Sequence, residues 1–250
     1  MLVLVLGFLL GPFIVVFVAG FSAEETLRFP PQQFSLRWLV HVFTVEGFQR
    51  SFVTSVVVAL GSTLLALTFG VPVAYALSRY QFRGAEAVRA LLTLPLIVPG
   101  IIVGLALLNH GVLAFDLPVT LSLLIGHTTL LIPYAVRVVS SSLANLRVDI
   151  DDAAVTLGAT RLQAFFKVVL PNIQGGVAAA FVLAFITSFN QVPVSLFLTG
   201  PGVSTLPIEM MAYMETSYDP SIAALSTLLV LFTIALVAGT EKLLGISKYV

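Results

Sequence analysis

The chain has 250 residues, of which 58% are hydrophobic and only 10% charged, and its twelve basic and twelve acidic residues cancel. Soluble globular chains carry about 25% charged residues, so a core of this size cannot hide the apolar surface present, and lipid must cover part of it. The neutral balance excludes a nucleic-acid footprint, and the absence of cysteine excludes disulfides and thiolate metal sites.

Apolar windows long enough to span a bilayer run over 2–21, 52–77, 88–108, 119–143, 173–198 and 222–243. They predict an all-α polytopic membrane protein of about six transmembrane helices, folded as one domain over 1–250. The first window ends in Val18-Ala19-Gly20, which mimics a signal-peptide cleavage site. No Lys or Arg precedes it, and about 20 apolar residues suit a spanning helix better. The missing basic segment leaves open a true start upstream.

Between the first two windows, Phe34, Trp38 and Val42 are spaced as the apolar stripe of an interfacial helix. Arg79, Arg83 and Arg89 bracket the second connection, Arg147, Arg161 and Lys167 occupy the fourth, and Lys242 and Lys248 are expected to follow the last helix, Lys242 at the very edge of its window. The third connection, 109–118, and the fifth, 199–221, contain no Lys or Arg. By the positive-inside rule both termini and the fourth connection face the cytoplasm. The fifth connection is turn-rich and reads as an external cap or gate. Its Glu209, Glu215 and Asp219 suit a cationic solute or a basic partner, although depletion of outside bases explains them equally.

His41, His110 and His127 stand far apart with no carboxylate cluster, so no metal site is expected. His127, inside the fourth window, is expected to hydrogen-bond within the bundle. Arg137 reads as snorkelling or as pairing with the fourth connection. Asn190 and Gln191 beside Pro193 mark irregular backbone, which membranes tolerate only where protein or water lines it. They are candidate pathway or gate residues, with interhelical hydrogen bonding as the alternative. Gly7/Gly11 and Gly100/Gly104 read as close packing. No P-loop, G-x-S-x-G, H-E-x-x-H or dinucleotide fingerprint occurs, so neither ATP binding nor catalysis is expected of this chain. The scarcity of acids in the windows disfavours a stand-alone secondary transporter.

The fourth connection is the most punctuated stretch. Asp149 is predicted as an N-cap, with Asp151 and Asp152 in the first turn, where carboxylates favour the helix dipole. Ile150, Ala153, Ala154 and Leu157 recur on one face. Gly158 ends this helix in the left-handed conformation. Thr160 and Gln163 form a capping box that starts a second helix with the stripe Leu162, Phe165, Phe166 and Val169. Pro171 suits the first turn of the next span.

Asp152-Ala153-Ala154, then Gly158, then Val168-Val169-Leu170-Pro171 resembles the Glu-Ala-Ala loop of binding-protein-dependent ABC importer permeases, the MetI-like transmembrane family. Asp stands for the family's Glu and Val for its Ile. The likeness extends from about Gly47 to the C-terminus. Residues 188–210 and 219–231 resemble the spermidine/putrescine branch, in which many relatives have Asp where this chain has Asn190. The resemblance implies a bacterial inner-membrane permease subunit whose solute is a polyamine, with iron, phosphonate or opine permeases as the alternatives. It implies a coupling loop over 149–170, with Asp152, Ala153, Ala154, Leu157, Gly158, Leu170 and Pro171 meeting the ATPase. It further implies two ATPase subunits that use ATP and Mg, a second permease chain or copy, and an extracytoplasmic solute-binding protein. No cofactor is implied on this chain itself.

Overall fold

The computed structural model describes residues 1–244. Lys248 lies outside the described residues. The described residues are mostly helical, and among them one isolated antiparallel bridge joins Ser22 and Phe34. Its helices are α1 (Leu2–Ala19), α2 (Arg37–His41), α3 (Glu46–Arg79), α4 (Ala85–Ile97), α5 (Gly100–Ala106), α6 (Val119–Ala144), α7 (Asp149–Thr156), α8 (Arg161–Ala164), α9 (Leu170–Asn172), α10 (Gln174–Phe189), α11 (Leu206–Thr216) and α12 (Ser221–Leu244). π-helical turns, Leu107–Ala114 and Phe165–Val169, extend α5 and join α8 to α9.

Three helices are long and apolar enough to cross a membrane unbroken: Glu46–Arg79, Val119–Ala144 and Ser221–Lys242. The windows at 88–108 and 173–198 are not straight spans. The first bends by 91° between Ala85–Ile97 and Gly100–Ala114, because Pro99 has no N–H to donate and forces Val98 into extended backbone. The second bends by 72° between Arg161–Asn172 and Gln174–Phe189. Pro171 therefore sits in the single turn of α9, and the break at Ile173 separates it from the span it was expected to open. If each bent pair is one span, the crossings number five, and α1 is a shorter apolar helix beside them.

Other boundaries move for local reasons. At 34 residues α3 starts at Glu46 rather than 52. At 1.5 Å per residue it is about 51 Å long and outreaches a ~30 Å hydrocarbon layer. The third connection shrinks to 115–118, because Asn109 and His110 bond carbonyls one turn back and stay helical. Lys242 lies inside α12 rather than after it.

Contacts group the described chain into two compact units. In the unit formed by Met1–Ser55 and Pro201–Leu236, the expected stripe splits. Trp38 and Val42 are buried, while Phe34 precedes α2 and stays exposed. The Trp38 indole N–H donates to the Glu24 carbonyl at 2.8 Å. The turn-rich fifth connection folds into α11, where the Leu206 N–H donates to Ser55 Oγ at 2.7 Å. Asp219 caps α12 by accepting from the Ser221 N–H at 2.9 Å and from the Tyr213 hydroxyl at 2.8 Å. That carboxylate is thus occupied by a structural task. Among the described residues nothing lies within 4 Å of a Cβ built at Gly7 or Gly11.

The other unit centres on Val56–Gly200. Its principal core joins Val71, Ala74 and Tyr75 of α3, Val139 and Leu143 of α6, and Phe165, Val169 and Ile173 of the fourth connection. That connection is therefore built into the bundle along one face.

Candidate functional site

The helix-turn-helix over 149–170 is held by its own backbone. α7 ends in a paired motif, with the Gly158 N–H donating to Val155 O at 2.9 Å and the Ala159 N–H to Ala154 O at 3.1 Å. Gly158 has φ +94°, a conformation that side-chain-bearing residues rarely adopt. Thr160 then opens α8 with both bonds of the capping box, Gln163 N–H to Thr160 Oγ1 at 3.2 Å and Thr160 N–H to Gln163 Oε1 at 3.0 Å. Asp152 reaches across the turn to Arg161 at 2.7 Å.

Asp149 is not the N-cap. Val148 holds that position without a side-chain bond, and Asp149 is the first helical residue. Its carboxylate is drawn to Arg147 instead, 2.6 Å away, and the bonded guanidinium holds it below the usual carboxylate range.

The two faces of α7 also differ from the predicted stripe. Asp149, Asp152, Ala153, Thr156 and Leu157 are exposed at helical spacing. Ile150, Ala154 and Val155 are half-buried and Asp151 is buried. Likewise Phe165 and Val169 enter the core, whereas Leu162 and Phe166 remain 68% and 56% exposed. Leu157, 89% exposed, joins them as apolar side chains that the described residues leave uncovered. Leu170 packs against the core as a partly buried side chain, and Pro171 is exposed.

Sequence reasoning missed the anchor of this element. Asp151 Oδ2 accepts from the Tyr75 hydroxyl at 2.9 Å and lies 3.3 Å from Arg79 Nε, with both members of the ion pair 5% exposed. Arg79 also donates to the Leu146 carbonyl at 3.2 Å. The insert is thereby tied to the end of α3. No local signal marks this anchor, because adjacent helical residues are about 100° apart and can both face outward, as Asp152 and Ala153 do.

The second candidate region lies where two helix breaks meet. A cavity of about 190 Å³ is lined by Val98 and Gly100 at the α4/α5 break, Tyr134 of α6, and Thr187, Gln191 and Pro193 at the end of α10. Gln191 and Pro193 are brought together there. Asn190 is not: it is exposed, and its amide donates to the Ile186 carbonyl at 3.1 Å. The Pro193–Val194 segment is seated on glycine, and a Cβ on Gly104 would meet Val194 O at 2.6 Å. Gly100/Gly104 thus packs against a loop rather than a helix.

His127 secures the same segment. One ring nitrogen is 2.8 Å from Ser188 Oγ and the other 3.0 Å from Ser195 Oγ, and Ser188 continues to Ser62 Oγ at 3.0 Å. This buried polar chain joins α3, α6, α10 and the turn after Pro193. Arg137 does not pair with the insert. It is exposed on α6 and lines a separate cavity with Arg89.

Comparison with known proteins gives concordant results. Residues 66–244 match the family model described as binding-protein-dependent transport system inner membrane component. The chain is 30% identical over 236 residues to the putrescine transport system permease protein PotI of Escherichia coli (strain K12), covering 91% of this chain and 84% of that one. It is 30% identical over 238 residues to the spermidine/putrescine transport system permease protein PotC of the same organism, covering 94% and 89%. Among solved structures, a bacterial alginate ABC transporter in complex with alginate pentasaccharide-bound periplasmic protein superposes with a TM-score of 0.73 at 16% identity, over 96% of this chain and 90% of that one.

Proposed function

The chain belongs to the binding-protein-dependent transport system inner membrane components and is a multi-pass permease subunit of an ABC importer; from that premise we propose that its solute is a polyamine such as putrescine or spermidine. The observation that carries this reading is the identity to two polyamine permeases over nine-tenths of the chain. The third and fifth connections contain no Lys or Arg, which suits a cationic solute, while the first carries Arg28 and Arg37 beside Glu24 and Glu25.

The chain works as one permease domain with both termini in the cytoplasm, and residues 149–170 are its handle. Two partner ATPases bind ATP and Mg, and one of them docks on the outward face of α7 and α8 of this chain, where Asp152, Ala153 and Leu157 are exposed. Gly158 sets the angle between the two helices. Ala154, Leu170 and Pro171 shape the return to the bundle. ATPase closure moves the handle, and the buried Asp151–Arg79 pair carries the displacement into α3. The pathway opens alternately to either side beside Gln191 and Pro193, with a second permease chain completing it and an extracytoplasmic binding protein delivering the solute.

The test is ATP-dependent uptake by vesicles that hold the complete set of subunits. Putrescine or spermidine should be accumulated in preference to other small solutes. A cognate binding protein that ignores polyamines and binds an anionic phosphonate overturns the substrate assignment.

A further inference from the structure

A cavity of about 330 Å³ opens between the end of α3, α4 and α6. Two guanidiniums line it, Arg89 and Arg137, and no carboxylate does. Among the described residues Arg137 has no hydrogen-bond or ion-pair partner. Arg89 donates to the Leu77 carbonyl at 2.9 Å, and its one acidic neighbour, Glu86, is 3.6 Å away and 89% exposed. An arginine within a spanning helix is costly unless an anion or water meets it.

The depth of the lining residues is graded. Arg89 lies four residues inside the start of α4, and Arg137 seven residues before the end of α6, so roughly 6 Å and 10 Å from those helix ends. Ser78 adjoins the last residue of α3, and Ser140 is four residues from the end of α6. The apolar lining lies deeper on both helices: Leu96 and Pro133 are each about 17 Å from the same ends. The cavity carries both its cations near the membrane boundary, beside Leu77 and Ser78, and is mostly apolar toward the bilayer interior, where the one deeper hydroxyl, Thr93, is turned back to the Ala90 carbonyl at 2.8 Å. That gradient is the shape of a phospholipid.

We propose that this cavity is a binding site for an anionic phospholipid, with Arg89 and Arg137 holding the headgroup phosphate, Ser78 and Ser140 supplying further donors, and the acyl chain lying along Leu96 and Pro133. The site lies between the end of α3, α4 and α6, and it does not depend on the identity of the solute.

The experiment uses the assembled importer in nanodiscs of phosphatidylglycerol or phosphatidylcholine. Retained lipid is read by native mass spectrometry and stability by thermal melting. The wild type and Arg28→Gln, an exposed change elsewhere, should retain phosphatidylglycerol and melt higher in it. In Arg137→Gln and, separately, Arg89→Gln, retention should fall roughly fivefold, the effect of one basic residue at an anionic surface. Inorganic phosphate alone should not reproduce the stabilisation. Equal retention in both variants, no preference for phosphatidylglycerol, or full replacement by inorganic phosphate would overturn the proposal. Equal retention joined to loss of subunit pairing would assign the arginines to a carboxylate of the second permease chain.

Discussion

Asp151 and Arg79 form a buried ion pair, 3.3 Å apart and each 5% exposed, between α7 of the helix-turn-helix and the last residue of α3. Removing one partner leaves the other charge buried and uncompensated, a loss on the order of 3–5 kcal/mol. Asp151→Ala and Arg79→Ala should therefore each lower the melting temperature of the purified complex and abolish transport, while ATP hydrolysis persists without import. The charge exchange Asp151→Arg with Arg79→Asp should restore part of the coupling. The check is the ratio of solute imported to ATP hydrolysed. An unchanged ratio in both single variants would reduce the pair to a surface contact.

Gly158 has positive φ and open space around it, since nothing lies within 4 Å of a Cβ built there. Its requirement is conformational rather than steric. Gly158→Val should cost about 1 kcal/mol or more and misdirect α8 relative to α7, reducing co-purification of the ATPase. Gly158→Asn, which tolerates the left-handed region, should be mild. Equal binding and transport in both variants would show the turn to be a plain connection.

Gln191 lines the cavity where the α4/α5 break meets the end of α10, and Asn190 does not. Gln191→Trp should fill a space of about 190 Å³ and block uptake while ATPase co-purification stays normal. Asn190→Trp should transport close to wild type. Reversal of that order in a vesicle uptake assay would relocate the pathway.

His127 bonds Ser188 and Ser195 from its two nitrogens. His127→Leu keeps much of the volume but strands the Ser195 hydroxyl, at about 1–3 kcal/mol for a group left unsatisfied, and leaves Ser188 bonded only to Ser62. His127→Leu should lower the melting temperature more than Ser195→Ala, which removes a single bond. Equal melting points would mean that the chain of hydroxyls is not formed.

Asp219 offers a pH test. Burial raises its pKa, but hydrogen bonds from Ser221 and Tyr213 outweigh that and hold the carboxyl below the usual range. A depressed folded pKa stabilises above the unfolded value, about 3.9, and the stabilisation fades as pH falls through the folded value. The melting temperature of the wild type should therefore drop on acidification below about pH 4 more steeply than that of Asp219→Asn. Parallel curves would remove this cap from the acid response.

Helical class, the chain's place in a membrane, and the turn chemistry at Gly158, Thr160 and Gln163 were legible in sequence, because each depends on composition or on residues within a few positions. The Asp-Ala-Ala, Gly and Leu-Pro spacing was legible for the same reason and carried the family likeness. The tertiary structure alone decided which face of α7 is outward. Asp151 is 76 residues from Tyr75 and about as far from Arg79, and nothing local says that Asp151 rather than Asp149 or Asp152 will be buried. The broken spans escaped the apolar windows because hydropathy counts side chains, whereas the bend at Pro99 comes from a missing backbone donor and an extended Val98. The cavity beside Gln191, the glycine seat beneath Val194 and the unpaired Arg137 likewise exist only where separate helices converge. Local chemistry fixes elements from the chain alone, while a site assembled across helices exists only once long-range packing has chosen their faces.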